Sequence, residues 1–263
     1  MATTSSQRPT REWPLLILSL ALVCAITIPL YQWSAAHEGG GSGAKWTGER
    51  IGRLLLGPEQ IACYCALTWS SFILFGRFME LRRQRRAFRF ELLPTEVGVC
   101  ILPEDARLLQ RKIDQKTGGQ PFILSHMIGL ALGKYAVSRS ARDVSETVRT
   151  QAEVDLSRLV SSMGTVNYLA WAIPAIGFLG TVRGLAGSLS GTGDDLAGAV
   201  KYQLNIAFDC TLVALALSLV VMFMLHFVQR EEESVVIDCQ QYCLDHLVSR
   251  LYDLEPEHAT AGH

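Results

Sequence analysis

The chain has 263 residues, is 49% hydrophobic and 19% charged, and carries a net charge of −1. That balance, with no long basic tail, leaves no electrostatic footprint for nucleic acid. The apolar residues are bunched into runs near or above the length that spans a bilayer, which sets aside an ordinary soluble domain.

The first run, Trp13 to Trp33, follows Arg8 and Arg11 and has tryptophan at both ends. It is longer than the apolar core of a signal peptide, and interfacial aromatics suit a retained span. Residues 34–58 contain Gly39-Gly40-Gly41-Ser42-Gly43, the composition of a flexible linker. A second span is expected from Glu59 to Gly76, with Pro58 in its first turn. Arg77, Arg82, Arg83, Arg85, Arg86 and Arg89 follow at once, and this basic cluster predicts a cytoplasmic exit. Residues 1–91 therefore read as two spans with a cytoplasmic N-terminus and a short periplasmic linker.

Residues 92–164 read as a cytoplasmic region, punctuated by Pro94, Pro103 and Gly118-Gly119. The pattern is helical from Pro121 through Met163. Val144, Val148, Leu156, Leu159 and Val160 recur at roughly helical spacing, as in a solvated amphipathic helix entering the membrane. A third span runs from about Val166 to Leu189, and a short loop follows with Gly191, Gly193, Asp194 and Asp195. The fourth runs from about Leu204 to Val228, and Gln229-Arg230-Glu231-Glu232-Glu233 ends it. Residues 165–230 form this pair, and 231–263 a cytoplasmic tail that begins as helix. The fold class is all-α: four transmembrane helices with a helical cytoplasmic region, assembling as an oligomer.

Cys24, Cys63, Cys65 and Cys210 fall in apolar runs, and Cys100, Cys239 and Cys243 in the cytoplasmic segments. They imply no disulfide framework. Cys63-Tyr64-Cys65 has no His or acid beside it to complete a metal site. No cofactor is expected. No nucleophile–base arrangement or phosphate loop points to an enzyme.

The third span places Gly177, Gly180, Gly184, Gly187 and Gly191 at intervals of three, four, three and four, along one helix face. The fourth carries Ala207, Thr211, Ala214 and Ser218 on a stripe of its own. Small residues let helices approach closely in lipid, where little hydrophobic force joins them. Two readings stay open. The stripes are packing faces, with each threonine bonded to its own backbone. Alternatively, Thr181 and Thr211, each about eight residues or ~12 Å from the outer end of its span, line a polar ring in an oligomer. Arg183 and Asp209 also lie at matching depth; they form an intramembrane ion pair, or each reaches the surface separately.

The stretch Ile173-Pro174-Ala175-Ile176-Gly177-Phe178-Leu179-Gly180-Thr181-Val182-Arg183-Gly184-Leu185, with Ile206 to Arg230 after it, resembles the paired helices of the MotA/TolQ/ExbB proton channel family. The resemblance runs from about Glu153 to Arg230. It implies a pentamer around two copies of a single-span ExbD/TolR/MotB-like partner, each with an intramembrane Asp. It implies that Thr181 and Thr211 face the proton path and that Pro174 lets its helix bend. The function it implies is a stator-type subunit converting proton motive force into mechanical work, in a bacterial inner membrane, with both termini cytoplasmic. The coupling ion is expected to be H⁺, since no dense set of oxygen ligands suits Na⁺. The competing expectation is a non-conducting membrane scaffold, in which Gly177, Gly180, Gly184, Ala207 and Ala214 only pack. Arg183 stands where the family commonly has an apolar residue, and Val220 where it has a later proline. These departures mark a divergent member.

Overall fold

The computed structural model describes residues 12–36, 56–90, 92–93, 101–118, 120–189 and 196–251. Arg8, Arg11, Cys100, Pro94, the linker glycines 39–43 and the loop around Gly191, Gly193, Asp194 and Asp195 lie outside the described residues. The described helices are α1 Glu12–Ala36, α2 Pro58–Arg86, α3 Ala106–Lys116, α4 Ile123–Ser138, α5 Ala141–Ser162, α6 Gly164–Leu189 and α7 Leu196–His246. Among the described residues there is no strand, and one isolated bridge pairs Ile101 with Leu251.

Three helical stretches, Pro58–Arg86, Ala141–Leu189 and Val200–Arg250, are long and apolar enough to cross a membrane. Trp13–Pro29 in α1 and Ile123–Ser138 are shorter apolar helices. The described residues fall into two units, 12–76 with 163–227 and 77–162 with 228–251.

The first unit is packed by small residues. Gly177, Gly180 and Gly184 of α6 are buried, as are Ala207, Cys210 and Ala214 of α7. The bulky side chains point outward instead: Phe178, Leu179, Phe208, Leu212, Leu215, Leu219 and Phe223 are all exposed. Water would penalise that arrangement at about 25 cal/mol per Å² of apolar surface; lipid does not.

The second unit has an ordinary core. Leu124, Met127, Ile128, Ala131, Leu132 and Tyr135 of α4 are buried against Val144, Val148 and Ala152 of α5 and Val235, Val236, Cys239 and Cys243 of α7. Two expectations change here. The helix predicted from Pro121 to Met163 is two helices. Arg139 adopts φ 54°, a left-handed conformation, and its N–H closes on the Tyr135 carbonyl at 3.0 Å. Ser140 Oγ then accepts the Asp143 N–H at 3.5 Å and caps α5. The α5 stripe is also not solvated: Val144 and Val148 are core residues, Leu156 and Leu159 pack against them, and only Val160 is exposed.

The acidic run at 231–233 does not end α7, which continues to His246. Val228, Glu232, Val235, Val236, Cys239, Cys243 and Leu247 are buried at helical spacing, so the helix continues because it has a face to bury. Gln84 of α2 starts α4 from outside: its Oε1 accepts the Ile123 N–H at 2.9 Å, and its Nε2 donates to the Pro121 carbonyl at 3.3 Å. That serves an orphan N–H which Phe122, at the N-cap, has no side-chain group to serve.

Candidate functional site

The seam between α6 and α7 is set by what the glycines lack. A Cβ at Gly177 would run into Ala214 Cβ and stand 3.4 Å from Thr211 Cα. At Gly180 it would run into Cys210 Sγ, and at Gly184 it would meet Ala207 Cβ at 2.7 Å and the Gln203 carbonyl at 3.0 Å. As the number rises along α6 it falls along α7, so the two helices are antiparallel with backbones in close approach. Pro174 lies inside α6, one turn before Gly177, and the helix is continuous through it.

Thr211 sits in this seam. Its hydroxyl donates across to the Gly177 carbonyl at 3.2 Å, and the Ala207 carbonyl one turn back on α7 lies at the same 3.2 Å. Thr181 lies at the edge of the seam and donates to the Phe178 carbonyl at 2.6 Å. By the glycine contacts, Gly180 stands level with Cys210, so Thr181 and Thr211 are offset along the helices by about 3 Å. Each hydroxyl has spent its proton on a backbone carbonyl; the lone pairs left over can accept a hydrogen bond from water or a protonated carboxyl.

Arg183 is paired, but with another residue. Its Nη2 lies 2.9 Å from Oε2 of Glu59, in the first turn of α2. The expected Arg183–Asp209 pair is replaced because matching depth does not give matching direction. Asp209 lies two residues past Ala207, about 200° round α7 at 100° per residue. Ala207 faces α6, so Asp209 faces away. Sequence reasoning had placed Glu59 at the start of a span without giving it a role. The available signal was an acid in the first turn of one span and a lone arginine near the outer end of another. α2 also meets α6 through Cys63, whose Sγ lies 3.8 Å from the Ile173 carbonyl.

In the second unit, Glu232 is another group the sequence did not single out. It is 6% exposed on the buried stripe of α7. Burial pushes its carboxyl up to about 7, against the opposing pull of the Arg77 guanidinium. Among the described residues, Glu232 Oε2 and Arg77 Nε have no hydrogen-bond partner. Arg77 Nη2 donates to the Ser162 carbonyl at the end of α5, at 3.3 Å. Burial also pushes up the thiols of Cys239 and Cys243, the latter to about 12, so both are neutral packing groups. No group of three or more His, Cys, Asp or Glu side chains able to hold a metal occurs among the described residues.

Residues 114–241 match the MotA/TolQ/ExbB proton channel family. The match begins at the end of α3, takes in the α4–α5 hairpin as well as the α6–α7 seam, and stops shortly before α7 ends. No curated protein matches the chain.

Proposed function

Since residues 114–241 match the MotA/TolQ/ExbB proton channel family, we propose that this chain is the wall-forming subunit of a proton-driven stator in a bacterial inner membrane. Five copies surround two single-span, ExbD/TolR/MotB-like helices, each bearing an intramembrane Asp. The wall supplies the hydroxyl face and the partner supplies the carboxyl that takes up and releases the proton. Proton motive force then does mechanical work: one charge crossing 100 mV releases ~2.3 kcal/mol, enough to shift helices between two packed arrangements. In this arrangement α1 is a fourth span, and the basic cluster after residue 76 keeps both termini in the cytoplasm.

The observation that carries the reading is Thr211 in the glycine seam, bonded to the Gly177 carbonyl across it. A hydroxyl held this way has a fixed lone pair and no charge of its own. It can receive a protonated carboxyl without trapping the ionised form. The residues assigned to the path are Thr181 and Thr211, with Pro174 as the bend and Gly177, Gly180, Gly184, Ala207 and Ala214 as the close-packed seam.

The scaffold reading has one observation in its favour: both threonine protons are already bonded to backbone, as in a seam that only packs. Proton flux decides between them. The full chain, purified with its single-span partner and placed in liposomes, is expected to carry protons down an imposed potential with no sodium present. Strict sodium dependence would overturn the ion assignment, and an assembled complex without flux would favour the scaffold.

A further inference from the structure

Arg183 puts a permanent positive charge on a helix that the proposed function places in the wall of a cation path. A guanidinium keeps its charge at any physiological pH. Along α6 it lies two residues from Thr181, about 3 Å in rise and about 200° round the axis, so the helix itself stands between the charge and the hydroxyl. A bare unit charge across one helix, about 12 Å from a passing cation, would at an effective dielectric near 20 slow conduction about tenfold.

The fold supplies a counter-charge from a different helix. Glu59 Oε2 lies 2.9 Å from Arg183 Nη2, and the glutamate side chain is 11% exposed against 55% for the arginine. Two features fix the carboxylate in place. It occupies the first turn of α2, where the exposed N–H groups favour a negative charge. It also lies over Gly180, where an added Cβ would stand 3.3 Å from Glu59 Cγ. The same glycine that admits Cys210 therefore admits the counter-charge, one residue from Thr181.

We propose that Glu59 is a charge-compensating positioning residue for the ion path: it holds the Arg183 guanidinium against α2 and cancels its charge across the helix from Thr181. The inference rests on the conduction reading above. It differs from a purely structural tie in one respect. A structural tie is lost whenever either partner goes, whereas compensation is needed only while the arginine is present.

The test is proton flux by the full complex in liposomes, with oligomer size measured alongside. Glu59→Gln is expected to lower flux about tenfold with the oligomer intact. Glu59→Gln with Arg183→Met is expected to return flux to within about threefold of wild type. Arg183→Met alone removes the repelling charge and is expected to conduct at or above the wild-type rate; it decides the matter if Glu59→Gln does not assemble. A Glu59→Gln complex that conducts like wild type, a double variant no better than Glu59→Gln, or an Arg183→Met complex that loses flux would each overturn the inference. A wild type without flux would remove the conduction reading, and this inference with it.

Discussion

The two units of this chain solve opposite packing problems. In one, Gly177, Gly180 and Gly184 meet Ala207, Cys210 and Ala214, while the phenylalanines and leucines face outward. In the other, Leu124, Met127, Ile128, Leu132 and Tyr135 are buried and the charged groups lie mostly outside. The first is built for lipid, where bulk on the outside costs nothing and close backbone contact supplies the attraction. The second is built for water, where removing large apolar surface is the main driving force. A single helix, α7, changes its packing along its length, from alanine and threonine to valine and cysteine.

Substitutions that change side-chain size should break the two units in opposite directions. Leu132→Ala empties a fully buried position in the second unit. It should cost about 2–5 kcal/mol, measured as loss of the cooperative unfolding transition of the purified protein in detergent. Glu232→Gln should act the other way, and only over part of the pH range. In the fold its carboxyl is raised to about 7 from an ordinary 4.5. Between those values the folded chain holds a proton that the unfolded chain has released. Stability therefore falls as pH rises from about 4.5 to about 7 and is level above that. The penalty at pH 8 is roughly 3 kcal/mol. Glu232→Gln should remove it, flattening the pH dependence of the melting temperature; an unchanged slope would mean the carboxyl titrates normally.

In the first unit, growth rather than shrinkage is the damaging change. Gly177→Ala drives a methyl into Ala214 and towards the α7 backbone, so the helices must separate, at a cost of about 1–3 kcal/mol. A crosslink between cysteines placed across the seam would report the separation. A Gly177→Ala protein that melts like wild type would mean the seam is not tight. The smallest effect is expected for Tyr135→Phe. Its buried hydroxyl donates to the Ile101 carbonyl at 3.0 Å, and losing that bond should cost about 1 kcal/mol with the core packing otherwise kept.

The first unit was largely legible in the sequence. Glycines spaced three, four and three along α6, at 177, 180, 184 and 187, give a seam on sight, because helical periodicity is local and direction follows from it. The ion pair was misread for the same reason. Counting residues from the end of a span gives depth, and Asp209 matched Arg183 in depth while facing about 200° away from the seam. The true partner, Glu59, lies more than a hundred residues earlier, and only tertiary packing brings it to Gly180. In the second unit the helical segments were legible but their junctions were not. Arg139 turns the chain in a conformation that usually signals glycine, and the sequence marks the start of α5 only through Ser140. The acidic run at 231–233 marks the end of the apolar run, and the tail after it reads as helix at first; nothing in the sequence marks Glu232 itself as lying on the buried stripe.

The claim that joins these features is that Thr181 and Thr211 line a proton path. The direct measurement is proton flux by the assembled complex in liposomes, comparing wild type with Thr181→Val plus Thr211→Val. Flux should collapse at least tenfold while the oligomer keeps its size. Unchanged flux through an intact double variant would contradict the account and leave the threonines as packing residues.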